Sequence, residues 1–349
     1  MNTVGECLAS SNSKGKDRLM FQAEGVKITV LVENQVDMLL PDQASPLGSE
    51  DHCVTRWGLI EHFDNKYLPP QAENGISFLV EAWRGRHTTR VLFDVGLTGT
   101  VLRHNMGVFG IDPNSIDHVA ISHGHPDHFG GIHGFFDMVD RKIPVATHRD
   151  AELARYALMG DGRMSNVYNS AFTFEQIERS GGVPVITEDS LDLGWGIHTT
   201  GEIERNVPFE AAAPPFVPGN PGLYQVGPDG KMRRDEVMDE NGLVIDVKDV
   251  GLVVLTGCAH AGVVNTIKQS QKIVGEKPVR AVMGGFHLGF PTTPQENVGL
   301  TVDALKELEV QTIMPMHCSG NRTHAHLAHD ENYVQPAVGT VLHFGKPQP

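Results

Sequence analysis

The sequence predicts an α/β (α+β) sandwich, two mixed sheets packed face to face with helices on the outer surfaces. Three observations carry this expectation. Strand-like and helix-like stretches alternate in both halves of the chain, hairpin signals interrupt them in the middle, and 349 residues with 40% hydrophobic and 20% charged content suit a compact core.

Residues 1–24 are polar and expected to fray, and the first strand signal is the apolar, β-branched run Val26-Lys27-Ile28-Thr29-Val30-Leu31-Val32. A single domain is expected over residues 25–349. Residues 41–74, with Pro41, Pro46, Pro69 and Pro70, read as an insertion long enough to lie over a site. Apolar runs at 75–83 and 90–95, joined by Arg84-Gly85-Arg86-His87, predict a hairpin that leads into a helix over 98–109. A strand at 117–122, a helix at 132–139, a strand at 143–147 and a helix from about Asp150 follow. Between 160 and 250 the pattern turns antiparallel, with hairpins turning at Pro228-Asp229-Gly230 and Lys248-Asp249. The last third predicts a helix at 261–274, a strand at 279–283 and a helix at 293–309. That helix has Thr293 as N-cap, Pro294 at N1 and Glu296 at N3, with Val298, Val302, Leu305 and Leu308 on one face. A short strand at 312–314 then delivers His317.

Charge and composition narrow the function. A formal net charge of −15, from 43 acidic and 28 basic residues, opposes binding to nucleic acid or an anionic membrane. With no apolar run of spanning length and no secretory-type start, the chain is expected to be cytoplasmic and to act on a small molecule. A homo-oligomer is left open. Four cysteines (Cys7, Cys53, Cys258, Cys318) form neither a disulfide framework nor zinc-finger spacing, whereas 18 histidines crowd into short Gly-rich stretches.

The densest of these is Ile121-Ser122-His123-Gly124-His125-Pro126-Asp127-His128-Phe129-Gly130-Gly131. Three imidazoles and a carboxylate fall within six residues directly after an expected buried strand. From an extended loop, His123 and His125 can converge on one cation while Asp127 and His128 turn toward a neighbouring one. This donor set suits zinc, iron or manganese, and two divalent ions are expected, zinc first. His324, His326 and His329 suit a solvated helix face, and His104, His118, His133 and His148 read as ordinary.

The pattern His-x-His-x-Asp-His resembles the metallo-β-lactamase superfamily. Its αββα sandwich, implied here by the resemblance, carries the metal site at one edge between the sheets. Leu92-Phe93-Asp94-Val95-Gly96 resembles that superfamily's supporting Asp-x-Gly, which makes Asp94 structural. More narrowly, the chain is similar to the subfamily that includes the dihydropterin-methyl-aminobenzene ribofuranosyl phosphate synthases. The matching stretches are Leu31-Val32-Glu33-Asn34, 73–81, Thr199-Thr200-Gly201-Glu202-Ile203, 255–262, Gly284-Gly285-Phe286-His287-Leu288 and Pro315-Met316-His317-Cys318-Ser319-Gly320.

The resemblance implies further ligands. Gly257-Cys258 stands where other members have Gly-Asp, so the bridging carboxylate is missing from its usual place, and Cys258 becomes a candidate ligand in its stead. His260 is the candidate third ligand of the first metal, and His317 completes the second. His287 could be a ligand, a catalytic proton donor to a leaving group, or a core histidine. Glu202 could hold an imidazole or cap Arg205.

The leading functional expectation is a hydrolase in which a metal-bound hydroxide, oriented by Asp127, attacks a carbonyl or phosphoryl centre of a small anionic substrate. One alternative is the subfamily's transferase chemistry, condensing a pterin pyrophosphate with an aminobenzene ribofuranosyl phosphate, with Phe109, Phe129, Phe286 and Phe290 as an aromatic slot. Another is a non-catalytic metal or redox binding module.

Overall fold

The computed structural model describes residues 21–44, 52–56, 69–159, 161–168, 172–210, 222–290 and 293–349. Among these, the strands are β1 (Gly25–Val32), β2 (Gln43–Ala44), β3 (His52–Arg56), β4 (Ser77–Arg84), β5 (His87–Phe93), β6 (His118–Ala120), β7 (Ile143–Thr147), β8 (Arg155–Leu158), β9 (Met164–Tyr168), β10 (Gly182–Ile186), β11 (Asp192–Gly194), β12 (Ile197–Thr199), β13 (Gly222–Val226), β14 (Met232–Arg234), β15 (Gly242–Val247), β16 (Gly251–Thr256), β17 (Val279–Gly285), β18 (Ile313–Met316) and β19 (Thr340–Gly345). The helices are α1 (Gly99–Val108), α2 (Pro126–Phe129), α3 (Ile132–Phe136), α4 (Phe174–Ser180), α5 (Val263–Val274), α6 (Gln295–Glu307) and α7 (Gly320–Leu327).

One sheet runs β10-β7-β6-β5-β4-β1-β19-β3-β2 and a second β11-β12-β15-β16-β17-β18. Strand alternation explains the layers, because successive side chains point to opposite faces. Val30 and Phe78 of the first sheet meet Leu243, Ile245 and Met283 of the second in a shared inner core. Their neighbours Leu31, Leu79 and Leu92 pack outward with Leu102, Met106 and Phe135 of α1 and α3. On the far side, Val244, Val254 and Val282 pack with Ile267, Val298 and Leu305 of α5 and α6. The order of layers is helix, sheet, sheet, helix. A third, antiparallel sheet, β14-β13-β8-β9, lies outside this sandwich in the chain's middle.

Parallel pairing matters most for the site. β5, β6 and β7 run parallel in the first sheet, and β16, β17 and β18 run parallel in the second. The loops that leave β6, β16, β17 and β18 carry His123, Cys258, His287 and His317 respectively.

The structure differs from several expectations. The helix expected from Asp150 is a 3-10 turn, Arg149–Glu152, followed by strand β8, whose pairing with β13 overrides local propensity. α6 starts one residue later than expected: Pro294 has an extended ψ of 138° and is itself the N-cap. Of the 41–74 insertion, residues 45–51 and 57–68 lie outside the described residues, while β2 and β3 extend the large sheet beyond β19. Most of the frayed-start expectation, residues 1–20, lies outside them as well. The aromatic slot does not form from the four phenylalanines expected, because Phe129 and Phe286 are buried in two different outer cores and Phe109 packs against the first of these. Among the described residues, no helix is long and apolar enough to cross a membrane.

Candidate metal centre

The centre begins at Asp94, just past β5, in the left-handed region at φ 57°. Its buried carboxylate accepts from Ser122 N and Ser122 Oγ, each at 2.7 Å, and contacts His128 Nδ1 at 2.7 Å. His128 Nε2 is thereby aimed at the centre, 3.1 Å from Cys258 Sγ and 3.9 Å from Asp127 Oδ1. Ser122 Oγ also meets His123 Nδ1 at 2.9 Å, which leaves His123 Nε2 buried with no hydrogen-bond partner. Orienting imidazoles through the nitrogen that does not bind is how proteins fix the tautomer a cation needs.

Two donor groups result. In one, His123, His125 and His260 bring donor atoms within 4.8 Å of one another; in the other, Asp127, His128 and His317 do so. Cys258 lies between them, since its sulfur also falls within that distance of His123 and His128. The adjacency anticipated from spacing is thus present: alternate residues of the loop face one group, Asp127 and His128 the other. His260 Nε2, like His123 Nε2, is buried without a partner. Buried polar atoms normally find partners, so two orphaned imidazole nitrogens aimed at one point fit a cation between them.

His317 sits at φ 49°, where Glu33 accepts its backbone N–H and Asn34 Oδ1 contacts its Nδ1 at 3.1 Å. Its Nε2 is 3.1 Å from Asp127 Oδ2. Burial works against a charge here, but the Asp127 carboxylate beside it wins and raises His317 to about 9. Burial instead drives His123 and His260 well below the ordinary imidazole value, helped by the neighbouring histidines. Within one donor group burial thus favours the neutral form of His123 and His260, while in the other the Asp127 carboxylate favours the charged form of His128 and His317. Glu240 accepts His260 N at 2.7 Å and also Ala261 N, fixing the backbone that presents His260.

Several supporting residues carried no sequence-level assignment. Arg155, fully buried, joins Asp235 through Nε and Asp239 through Nη2, both at 2.7 Å, and donates to Gly124 O at 3.2 Å. Asp239 in turn accepts Gly124 N at 2.7 Å, and Asp235 Oδ2 lies 3.4 Å from His125 Nε2. The His123–His125 loop is thus clamped from the third sheet. Against the cost of burial, His125 and Arg155 hold the Asp235 carboxyl well below the usual carboxylate range. Glu33, Asn34, Ser122 and Glu240 complete the set.

Other expectations resolve elsewhere. Glu202 pairs with His148 Nε2 at 3.1 Å and with none of the candidate ligands, while Arg205 donates to the carbonyls of Glu236 and Val237. His148 Nδ1 accepts Asp150 N, so its proton is on Nε2 and the group is a hydrogen-bonded pair. His324 contacts Tyr333 away from the centre. His287 lies beside His260, ring centroids 4.0 Å apart, and groups with Cys258 and Cys318.

The metallo-beta-lactamase superfamily profile matches residues 72–269. The chain belongs to this superfamily. It is 33% identical over 300 residues, 85% of this chain and 99% of the other, to the 7,8-dihydropterin-6-methyl-4-(beta-D-ribofuranosyl)-aminobenzene-5'-phosphate synthase of Methanocaldococcus jannaschii. An uncharacterized protein of the same organism is 28% identical over 78% of this chain and 93% of its own. A solved metal-dependent hydrolase of the beta-lactamase superfamily shares the fold, with TM-score 0.66, 23% identity, and coverage of 92% of this chain and 100% of that one. Superfamily membership and the named relative mark the chain as an enzyme.

Proposed function

We propose that this protein is a dinuclear metal-dependent hydrolase acting on a carbonyl or phosphoryl centre of a small anionic substrate. The observation that carries the reading is the pair of donor groups, His123/His125/His260 and Asp127/His128/His317, meeting at Cys258. These residues would hold two divalent ions, zinc by the imidazole and thiol content, with Cys258 in place of a bridging carboxylate. Such ions supply Lewis acidity and a water acidified toward neutral pH.

The chain's own groups do the rest. Asp127, whose carboxylate faces both His128 and His317, would orient the attacking water. Asp94 and Ser122 keep the imidazoles in the tautomer that binds, and the Arg155 clamp keeps His125 in register with His123.

A second reading is a transferase joining a pterin pyrophosphate to an aminobenzene ribofuranosyl phosphate, supported by 33% identity across 99% of the named synthase. Zinc-, iron- and manganese-reconstituted protein should be assayed against phosphodiester, phosphomonoester and lactone substrates, and separately for pyrophosphate release from the pterin pair. Metal-dependent hydrolysis abolished in His123→Ala supports the first reading. Pyrophosphate release requiring both substrates, without hydrolysis, replaces it with the second; metal bound with no turnover of either kind defeats both.

A further inference from the structure

We propose a third cation site next to the dinuclear centre, formed by Cys258, His287 and Cys318 and selective for a soft ion such as zinc. The two sulfurs and a ring nitrogen of His287 lie within 4.8 Å of one another. Three donors on one tetrahedral zinc, with bonds of about 2.0 to 2.3 Å, stand roughly 3.3 to 3.8 Å apart, a difference that side-chain rotation closes.

Three independent features show that this group is built. The residues come from the ends of three adjacent parallel strands, β16, β17 and β18, so one sheet edge delivers all of them. His287 is held at φ 51°, an unfavourable conformation for a residue with a Cβ, and its Nδ1 is buried with no hydrogen-bond partner. Gly285 keeps the space clear: a Cβ there would lie 2.6 Å from Cys318 Sγ and 3.0 Å from Cys258 Cα. Cys318 Sγ reaches Cys258 O at 3.4 Å, and neither cysteine is in a disulfide.

Two thiols and an imidazole form a softer set than either donor group of the dinuclear centre, which matches zinc over manganese. The Cys258 thiolate would be shared, facing His123 and His128 on one side and Cys318 on the other. Binding releases the thiol protons and places cationic charge against the two sulfurs. The site is a structural or modulating neighbour, and it does not depend on which reaction the dinuclear pair performs.

The test uses the full-length protein, purified anaerobically under reductant, loaded with Zn²⁺ and desalted. Elemental mass spectrometry should give three zinc ions per chain in the wild type and two in Cys318→Ser and in His287→Gln. With Co²⁺ in place of zinc, the near-ultraviolet thiolate-to-cobalt absorption should fall in Cys318→Ser, since both sulfur bonds to the third ion are lost while those of Cys258 to the dinuclear pair remain. Circular dichroism identifies a variant that has failed to fold, and the other variant then decides. Equal metal content and equal cobalt spectra in the wild type and the folded variants would overturn the site, as would recovery of Cys258 and Cys318 as a disulfide from reduced preparations. Failure of the dinuclear reading looks different: His123→Ala would keep full metal content while Cys318→Ser still lost one ion.

Discussion

Replacing Arg155 with Met removes the cation that holds Asp235 and Asp239 together while roughly keeping the volume. Both carboxylates are buried, at 5% and 1% exposure, and each meets the guanidinium at 2.7 Å. Breaking a buried ion pair by deleting one partner costs about 3 to 5 kcal/mol, because the remaining charge is uncompensated. Two carboxylates are stranded here, so the upper end is expected, a large share of the about 5 to 15 kcal/mol that holds a typical domain. The same change frees Gly124 and the His125 ring, which should weaken zinc binding at His123/His125/His260 by about 10- to 100-fold. Urea unfolding with and without zinc separates the two effects: at fixed excess zinc, the metal's contribution to stability should shrink by about 1.4 to 2.7 kcal/mol. Restoring neutrality with Asp235→Asn and Asp239→Asn in the same chain should recover part of the loss. A single variant that costs under about 1 kcal/mol, with zinc stabilisation unchanged, would refute the clamp.

His123→Ala should strip metal and abolish activity while circular dichroism stays near that of the wild type; retention of full metal content would defeat the site assignment. Asp94→Asn cannot accept from Ser122 N, Ser122 Oγ and His128 together, and competition against a chromophoric chelator should show zinc affinity down by about 10- to 100-fold. Glu210 accepts Val264 N and Asn265 N at the start of α5, yet burial raises it to about 7. A carboxyl with a raised folded-state value binds more protons folded than unfolded, so its contribution is complete below about pH 4.5 and lost as pH rises through 7. Glu210→Gln should remove that slope from stability measured between pH 4.5 and 7.5, an effect on the order of 3 kcal/mol; an unchanged slope would show that Glu210 is not its source.

The centre was legible where its donors are contiguous. Six residues, His123 to His128, announce both donor groups, because a loop leaving a buried strand displays alternate residues to one side and the next pair to the other. His260 and His317 were legible through resemblance, since nothing local distinguishes either from the other histidines. Hairpins with a strong turn, such as β13–β14 around Pro228-Asp229-Gly230, were equally readable. Strand β8 was not. Its residues pair with β13, far along the chain, and the preceding 3-10 turn carries helix-like residues that favour the wrong reading.

The clamp was hidden for the same reason, and the reason concerns function as much as prediction. Arg155 reaches partners 80 and 84 residues away, and in sequence each looks like an ordinary surface charge. Only the third sheet brings them under the Gly124 backbone, so burial, not residue type, gives them their role. Left-handed backbone follows a parallel logic. Asp94, Ala259, His287 and His317 all have positive φ, and each lies in a loop at the end of a strand that feeds the centre. Such conformations cost on the order of 1 to 2 kcal/mol each and persist only where surrounding contacts impose them. The core that binds the two sheets supplies this stability at the edge where donors must turn inward, although Trp195, Val237, Asp249 and Glu309 adopt the same backbone region elsewhere.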